Sequence, residues 1–172
     1  MFHAFDNAGP SRPTDRPAWL ALLARAPLPL LENVLGARIG EAPQWLRPPE
    51  TGLYMVQGRV GGTGERFNLG EVTVTRCALR PRASRDDEAT GPVGVAYVLG
   101  RSHRHAHLAA LADALLQDPS QLPVLEQSLL APVRQHLART QDQHNRRTQS
   151  TRVNFFTVAR ESGSADSEEN ES

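Results

Sequence analysis

Residues 57–80, QGRVGGTGERFNLGEVTVTRCALR, decide the fold of this chain. Two segments rich in β-branched and apolar residues, 53–60 and 71–79, flank a turn that contains Gly61, Gly62 and Gly64. β-branched residues favour strands, and glycine enters positive φ without a Cβ clash. The stretch therefore predicts an antiparallel hairpin. Asn68-Leu69-Gly70 interrupts the second strand of the hairpin as a bulge or a second turn, so the hairpin is either one long ribbon or two short ones.

Four arginines lie along this hairpin, at Arg59, Arg66, Arg76 and Arg80. Side chains alternate along a strand, so Arg76 and Arg80 share a face, and we expect all four guanidinium groups to point into one region. Converging guanidinium groups beside exposed backbone N–H groups bind phosphate or carboxylate. Two plainer interpretations stay open: the glycines serve only the turn, and Arg66 forms a surface ion pair with Glu65.

Every one of the 19 basic residues is an arginine, because the chain contains no lysine. This excludes a Schiff-base lysine, a Walker-type phosphate lysine and a lysine general base. Arginine stays protonated and acts as a fixed, forked anion clamp. Any contact with phosphate therefore works by positioning and not by proton transfer.

Length and composition predict one domain with poorly ordered ends. The chain has 172 residues, 39% of them hydrophobic, and a net charge of zero that is unevenly distributed. Residues 1–160 hold 19 basic and 14 acidic side chains, whereas residues 161–172 hold five acids and no arginine. This modest positive charge suits small anions and lacks the dense basic stripe of nucleic-acid binders. With one cysteine, Cys77, no secretory signal and no long apolar run, we expect a cytoplasmic protein outside the membrane.

Before the hairpin, the apolar spacing predicts two short helices and a strand. Pro48 and Pro49 prevent normal ladder pairing beyond that strand. The predicted elements are a helix N-capped by Asp15 with Pro17 in its first turn, a helix that begins near Pro27 and Pro29 and ends at Gly36, and a short edge strand over 44–47.

After the hairpin, residues 81–92 form a polar segment that predicts an exposed loop insertion. Residues 93–99 are apolar with little alternation, which favours a central strand covered on both faces. The remaining predicted elements are a helix capped by Ser102 and ended by Asp118-Pro119, and helices over 122–130 and 132–149 with a break at Pro132.

The last helix has few large apolar residues, so it either stands in solvent or packs on another chain. Phe155 and Phe156 lie in an apolar island, 151–160, that either completes the sheet or docks into a partner. The acidic tail over 161–172 has almost no apolar residues and is expected to be disordered.

Histidines and carboxylates give no clear catalytic pattern. His103 and His107 are four residues apart on a helix, as zinc-binding pairs are, but no third ligand follows at a standard spacing. We favour a solvated helix start over a metal-dependent hydrolase. Glu65, Glu71 and Asp113 are catalytic candidates by position alone, so we predict neither a catalytic residue nor a metal ligand.

Together these patterns predict an α+β fold: a small antiparallel sheet of about four strands flanked by N-terminal and C-terminal helices. The expected organisation is a disordered tail over 1–14, a single domain over 15–160 and the acidic tail over 161–172.

The glycine-arginine block also carries a resemblance. Arg59-Val60-Gly61-Gly62-Thr63-Gly64-Glu65-Arg66-Phe67, followed by Gly70-Glu71-Val72-Thr73-Val74-Thr75-Arg76, resembles the G subunit of the bacterial carbon–phosphorus lyase core complex, the PhnG family. Supporting matches are Glu50-Thr51-Gly52-Leu53, Gly100-Arg101 with His105-Ala106, and Val153-Asn154-Phe155-Phe156-Thr157. The similarity runs from about Trp19 to Arg160.

The resemblance implies a subunit that performs no catalysis alone. Its partners would be the H, I and J subunits with an ATP-binding-cassette-type companion, in a complex that forms α-D-ribose 1-methylphosphonate 5-triphosphate from ATP and methylphosphonate during phosphonate catabolism. ATP would be the substrate of the complex, and the iron–sulfur cluster and S-adenosylmethionine would belong to the J subunit. The residues expected at an interface or along a phosphate path are Arg59, Gly61, Gly62, Gly64, Glu65, Arg66, Arg76, Arg101 and His105, with Phe155 and Phe156 as partner-docking candidates.

An alternative needs no partner. The hairpin arginines could make the chain a stand-alone phosphate- or nucleotide-binding module. The two hypotheses differ in whether the isolated protein binds ATP or requires other subunits.

Overall fold

The computed structural model of the chain describes residues 16–40, 42–82 and 91–151. The helices and strands, in chain order, are α1 (Arg16–Leu23), α2 (Leu28–Leu35), β1 (Gln44–Arg59), β2 (Arg66–Arg80), β3 (Gly94–Leu99), α3 (His103–Leu116), α4 (Leu122–Leu125) and α5 (Ala131–Ser150). Short 3-10 turns follow α2 (Gly36–Gly40) and β1 (Val60–Gly62). The predicted α+β class with an antiparallel sheet between N- and C-terminal helices is confirmed, with three strands in the described residues.

The strand order is β1-β2-β3, with both pairs antiparallel. Within the described residues β2 is therefore the central strand and β3 lies at an edge. For this part of the chain, the prediction that residues 93–99 form a central strand covered on both faces is wrong. Gly94, Ala96 and Val98 are buried against the helices, whereas Tyr97 and Leu99 are exposed.

Strand β1 is one strand of 16 residues, so the prediction of a separate short strand over 44–47 is also wrong. Its pairing with β2 shifts register between Trp45 and Arg47 and again between Arg47 and Glu50. The second irregularity spans Pro48 and Pro49, which have no N–H to give to the ladder. Because β1 lies at an edge, the strand tolerates both prolines and continues beyond them.

Helix α3 covers one face of the sheet, which we call the inner face. Gly94 permits this close packing, because a Cβ built on it would lie 1.8 Å from the carbonyl oxygen of Ala110. The apolar side chains of α1, α2 and the segment before α5 complete the core around α3. Its largest fully buried apolar members are Leu23, Leu31, Leu35, Leu79, Val98, Leu108, Leu116, Leu129, Leu130 and Val133.

The caps and breaks of the later helices follow the sequence prediction. The hydroxyl of Ser102 accepts a hydrogen bond from the backbone N–H of His105, which caps α3. A π-helical turn over Glu126–Leu130 joins α4 to α5 just before Pro132, where a break was predicted. Beyond Leu137, every residue of α5 is exposed, so the helix leaves the body of the protein as predicted.

Several sequence predictions lie outside the described residues. They are the N-cap at Asp15, the tail over 1–14, most of the loop over 81–92, the docking residues Phe155 and Phe156, and the acidic tail over 161–172.

In the described part of the chain, no single helix is both long and apolar enough to cross a membrane. The bent pair Arg16–Leu23 and Leu28–Ile39 reaches that length and composition only when taken together.

Candidate functional site: the projecting ribbon

Strands β1 and β2 remain paired well beyond the end of β3. Their register runs from Gln44 opposite Arg80 to Arg59 opposite Arg66, whereas β3 pairs with β2 only as far as Val74. Residues 53–73 therefore form a two-stranded ribbon, here called the arm. An isolated two-stranded ribbon is at best marginally stable in water, so the arm is expected to gain order from a partner.

The glycines at the end of the arm are explained by the turn itself. Gly61 and Gly62 have φ of 60° and 81°, which non-glycine residues rarely adopt. A Cβ on Gly64 would lie 2.8 Å from the carbonyl oxygen of Val60, the same oxygen that accepts a hydrogen bond from the Gly64 N–H. These three predicted site residues are therefore accounted for by backbone geometry.

Arg59 and Arg66 lie directly opposite each other at the distal end of the arm, so their side chains share one face. Both are exposed, and neither forms a hydrogen bond or ion pair with another described residue. Glu65 is exposed as well and does not pair with Arg66 within the described residues. Like charges directly opposite destabilise a ribbon. This pair is therefore better suited to an external anion than to the fold.

Arg76 is separated from this pair and is occupied. It forms an ion pair with Glu50, which also pairs with Arg47 at 3.0 Å. The hydrogen bond from Arg76 is the main reason that the pKa of the Glu50 carboxyl lies below its usual value. Nine residues along β1 separate Glu50 from Arg59, a span of about 30 Å in a strand. The prediction that the hairpin arginines point into one region is therefore wrong.

The loop between β3 and α3 is held by a directional chain of hydrogen bonds. The buried Thr75 hydroxyl donates to the carbonyl oxygen of Gly100 at 2.7 Å, which uses its one proton. Thr51 must therefore donate to Thr75 across 2.9 Å, and His103 Nε2 must donate to Thr51 across 3.0 Å. The network fixes the loop that carries Arg101, which is exposed and has no partner within the described residues.

His105 and His107 both contact other parts of the fold. Nε2 of His105 donates to the carbonyl oxygen of Leu23 at 2.8 Å, which joins α3 to the C-terminal end of α1. The ring of His107 lies 4.8 Å from the ring of Trp45, and burial lowers the pKa of this histidine. No group of three or more metal-ligating side chains occurs among residues 16–40, 42–82 and 91–151.

Asp113 is a structural residue. Its carboxylate is fully buried and accepts hydrogen bonds from both Nε and Nη2 of Arg16, from the indole of Trp19 and from the backbone N–H of Val95. These bonds tie α1, β3 and α3 together. A carboxylate whose acceptor positions are filled by the fold is poorly placed to exchange a proton with a substrate.

The outer face of the sheet is the feature that the sequence reasoning missed. Side chains alternate between the two faces along each strand, and in the observed register a set of large apolar side chains lies on this face. Leu69 belongs to the set because its side chain lies over Gly58, where a Cβ would be 3.0 Å from it. We call this set the outer-face strip: Tyr54, Phe67, Leu69, Val74, Tyr97 and Leu99. The available signal was the unbroken apolar run over 94–99, which we had assigned to a central strand.

Comparison with known proteins identifies the relatives of this chain. A sequence model described as "Phosphonate metabolism protein PhnG" matches residues 14–161. A protein of Rhizobium meliloti (strain 1021), named "Alpha-D-ribose 1-methylphosphonate 5-triphosphate synthase subunit PhnG", is 38% identical over 161 residues. The matched region covers 90% of this chain and 93% of that relative.

Proposed function

The chain belongs to the PhnG family of phosphonate metabolism proteins, and on that premise we propose that it is a subunit of α-D-ribose 1-methylphosphonate 5-triphosphate synthase. In this proposal it serves phosphonate catabolism as an accessory subunit of a transferase. The chain carries no catalytic residue itself, and the bond-making steps belong to its partners.

The observation that carries the proposal is the arm. It extends beyond the third strand, exposes the glycine-arginine block, and ends in Arg59 and Arg66, which have no partner among the residues that the structure describes. A segment that is marginal alone and charged at its end is typical of a structure that becomes ordered against another subunit.

We propose that the partners are the H, I and J subunits with an ATP-binding-cassette-type companion, and that the assembly works in the cytoplasm. Cys77 is a free and buried thiol and the one cysteine of the chain, so the fold depends on no internal disulfide. An iron–sulfur cluster and S-adenosylmethionine would belong to the J subunit. The single cysteine of this chain is fewer than the thiolates that a cluster requires.

In the assembled synthase, Arg59 and Arg66 would lie at the edge of the path taken by the triphosphate of the substrate. Guanidinium groups bind phosphate oxygens in a bidentate manner and stay charged at all working pH values. Arg101 would contribute from the loop before α3. Arg76 would act elsewhere, on the outer face with Glu50.

The test is reconstitution of the synthase from co-expressed subunits, with ATP and methylphosphonate as substrates and ³¹P NMR as the assay. Omitting this chain is expected to abolish product formation. The double variant Arg59→Ala, Arg66→Ala is expected to assemble normally and to raise the KM for ATP at least about tenfold. The loss of even one charged hydrogen bond to the triphosphate would cause a change of this size. Arg25→Ala is the matched control, an exposed arginine on another side of the protein.

Two results would contradict the proposal. One is full activity of the other subunits in the absence of this chain. The other is saturable binding of ATP to the isolated chain with turnover of a phosphonate, which would favour the stand-alone nucleotide-binding module.

A further inference from the structure

The outer-face strip is the largest feature that the proposed function does not use. It runs across all three strands in the row of Gly52, Val74 and Leu99 and continues along the arm to Phe67. Six residues of β1 separate these two ends, which is about 20 Å of strand. The inner face of the same sheet is covered by α3, so the two faces differ in their surroundings.

The strip is too apolar and too exposed to be ordinary surface. Tyr54 is 67% exposed, Leu69 62%, Tyr97 62% and Leu99 73%. Aromatic side chains have about 150–250 Å² of surface each and the aliphatic ones less, so the exposed apolar area of the strip is on the order of 600 Å². This is the upper end of the patches found on monomers. A standard protein interface buries about 800 Å² on each partner. The strip and its border are therefore the right size for one side of a specific interface.

Positive charge borders the strip. By the register, Arg47, Arg76 and Arg80 also belong to the outer face, and Glu50 is the one carboxylate that accompanies them among the described residues of this face. An apolar centre that contains tyrosines, with arginines along the rim, matches the composition of protein interfaces. This positive rim is electrostatically complementary to carboxylates on the surface of a binding partner.

The edge of the sheet extends the same surface. Tyr97 also lines a small apolar cavity of about 90 Å³ between β3 and α1, together with Leu20 and Leu23 of the helix and Ala24 just after it. The far side of β3 has no strand partner within the described residues. A side chain from outside could therefore enter beside Tyr97.

We propose that the outer-face strip is the docking surface for another subunit of the synthase, one that presents an apolar surface bordered by carboxylates. This inference rests on the proposed function and adds the face through which the chain assembles. A second copy of this chain would set one arginine rim against another, which electrostatics disfavours.

Helix α5 leads away from the core of the protein and makes no contact with the strip in the residues that the structure describes. Leu137 is the last residue of α5 that is packed against the core, and all described residues after it are exposed. The helix continues for 13 residues to Ser150, which is about 20 Å at 1.5 Å per residue. The size of the strip and its arginine rim are the observations that assign the occupant to another polypeptide with an acidic border.

The test is co-purification of the co-expressed synthase subunits through a tag on this chain. Tyr97→Glu and Leu99→Glu are expected to reduce the recovered partner subunits at least tenfold, because each places a carboxylate in the apolar centre. Leu99→Arg is expected to reduce recovery less than Leu99→Glu, since the opposing rim is acidic. Val124→Glu is the matched control, because Val124 is 61% exposed on α4 and does not belong to the strip.

A photocrosslinking experiment tests the inference independently of variants that fail to fold. With p-benzoylphenylalanine at position 97, irradiation of the complex is expected to join this chain to another subunit. A crosslink to a second copy, or only within the chain, overturns the inference. So does wild-type recovery of partners by folded Tyr97→Glu and Leu99→Glu.

Failure of the proposed function has a different signature. In that case the wild-type chain recovers no partner subunits at all, and the inference falls with it. If the wild type and the Val124→Glu control recover partners and the two strip variants do not, both conclusions are supported.

Discussion

The two faces of the sheet differ in burial, although β3 carries apolar side chains on both of them. On the inner face, Ala96 and Val98 of β3 are buried under α3. On the outer face of the same strand, Tyr97 and Leu99 are mostly exposed. A short apolar strand therefore does not reveal whether its second face is covered by its own chain or by another. In this protein the inner face stabilises the fold, and the outer face with the arm is available to partners.

The largest expected effect is on the inner face, at Gly94. Gly94→Ala places a Cβ 1.8 Å from the carbonyl oxygen of Ala110, so β3 and α3 must move apart. We expect a loss of about 4 kcal/mol in the free energy of unfolding, measured by urea denaturation. Gly52→Ala is the matched control, because a Cβ there meets nothing within 4 Å. Equal stability of the two variants would show that the inner face is not closely packed.

The next effect concerns the buried carboxylate that links α1 to this face. Asp113→Ala leaves the Arg16 guanidinium, the Trp19 indole and the Val95 N–H without their acceptor. We expect a loss of about 3 kcal/mol, moderated because the Arg16 side chain is one-third exposed to water. Thermal unfolding followed by circular dichroism measures it, and Asp142→Ala on the exposed part of α5 is the control. A change below about 1 kcal/mol would contradict the structural role.

A third test uses pH. Burial raises the pKa of the Cys77 thiol to about 11, above its ordinary value of 9. Between pH 9 and 11 the unfolded chain releases this proton and the folded chain keeps it, so stability falls as the pH rises. The loss is on the order of 2 kcal/mol. Urea unfolding from pH 8 to 11 measures it. Cys77→Ala should lack this component, and an identical pH dependence in both proteins would refute the burial of the thiol.

The smallest effect on stability is expected at the end of the arm. The double variant Arg59→Ala, Arg66→Ala removes two opposed cations that have no partner among the described residues. The free energy of unfolding should therefore change by less than about 0.5 kcal/mol, or increase slightly because the repulsion is removed. Urea denaturation of the isolated chain measures it, with Arg76→Ala as a comparison that breaks an exposed ion pair. A loss above about 1.5 kcal/mol would mean that the arm belongs to the fold in the same way as the inner face.

Local chemistry explains why some predictions hold. The bulge at 68–70 appears as the register shift opposite Val56 and Gln57, so the hairpin is one long ribbon. Gly61 and Gly62 take positive φ, and Ser102 caps α3. Each of these features depends on residues close together in sequence.

The wrong predictions depend on contacts between distant residues. The apolar run over 93–99 predicts a central strand, but a strand at an edge, with one face left uncovered by the described residues, has the same composition. The hairpin arginines were expected to converge, but the length of the ribbon separates Arg59 from Arg76. His105 was a site candidate, and the fold bonds its ring to Leu23. Asp113 is a catalytic candidate by position alone in the sequence, and its structural role appears only when donors from α1 and β3 surround it.

The sequence by itself determined the ribbon, its glycine turn, the absence of lysine chemistry and the helices with their caps, because short-range backbone preferences and residue type govern all of these. Only the tertiary structure decided which face of the sheet is covered, which arginines are paired and which carboxylate is buried. The physical reason is that burial and pairing depend on side chains brought together from distant parts of the chain, and alternation along a strand separates the two faces without saying what covers either.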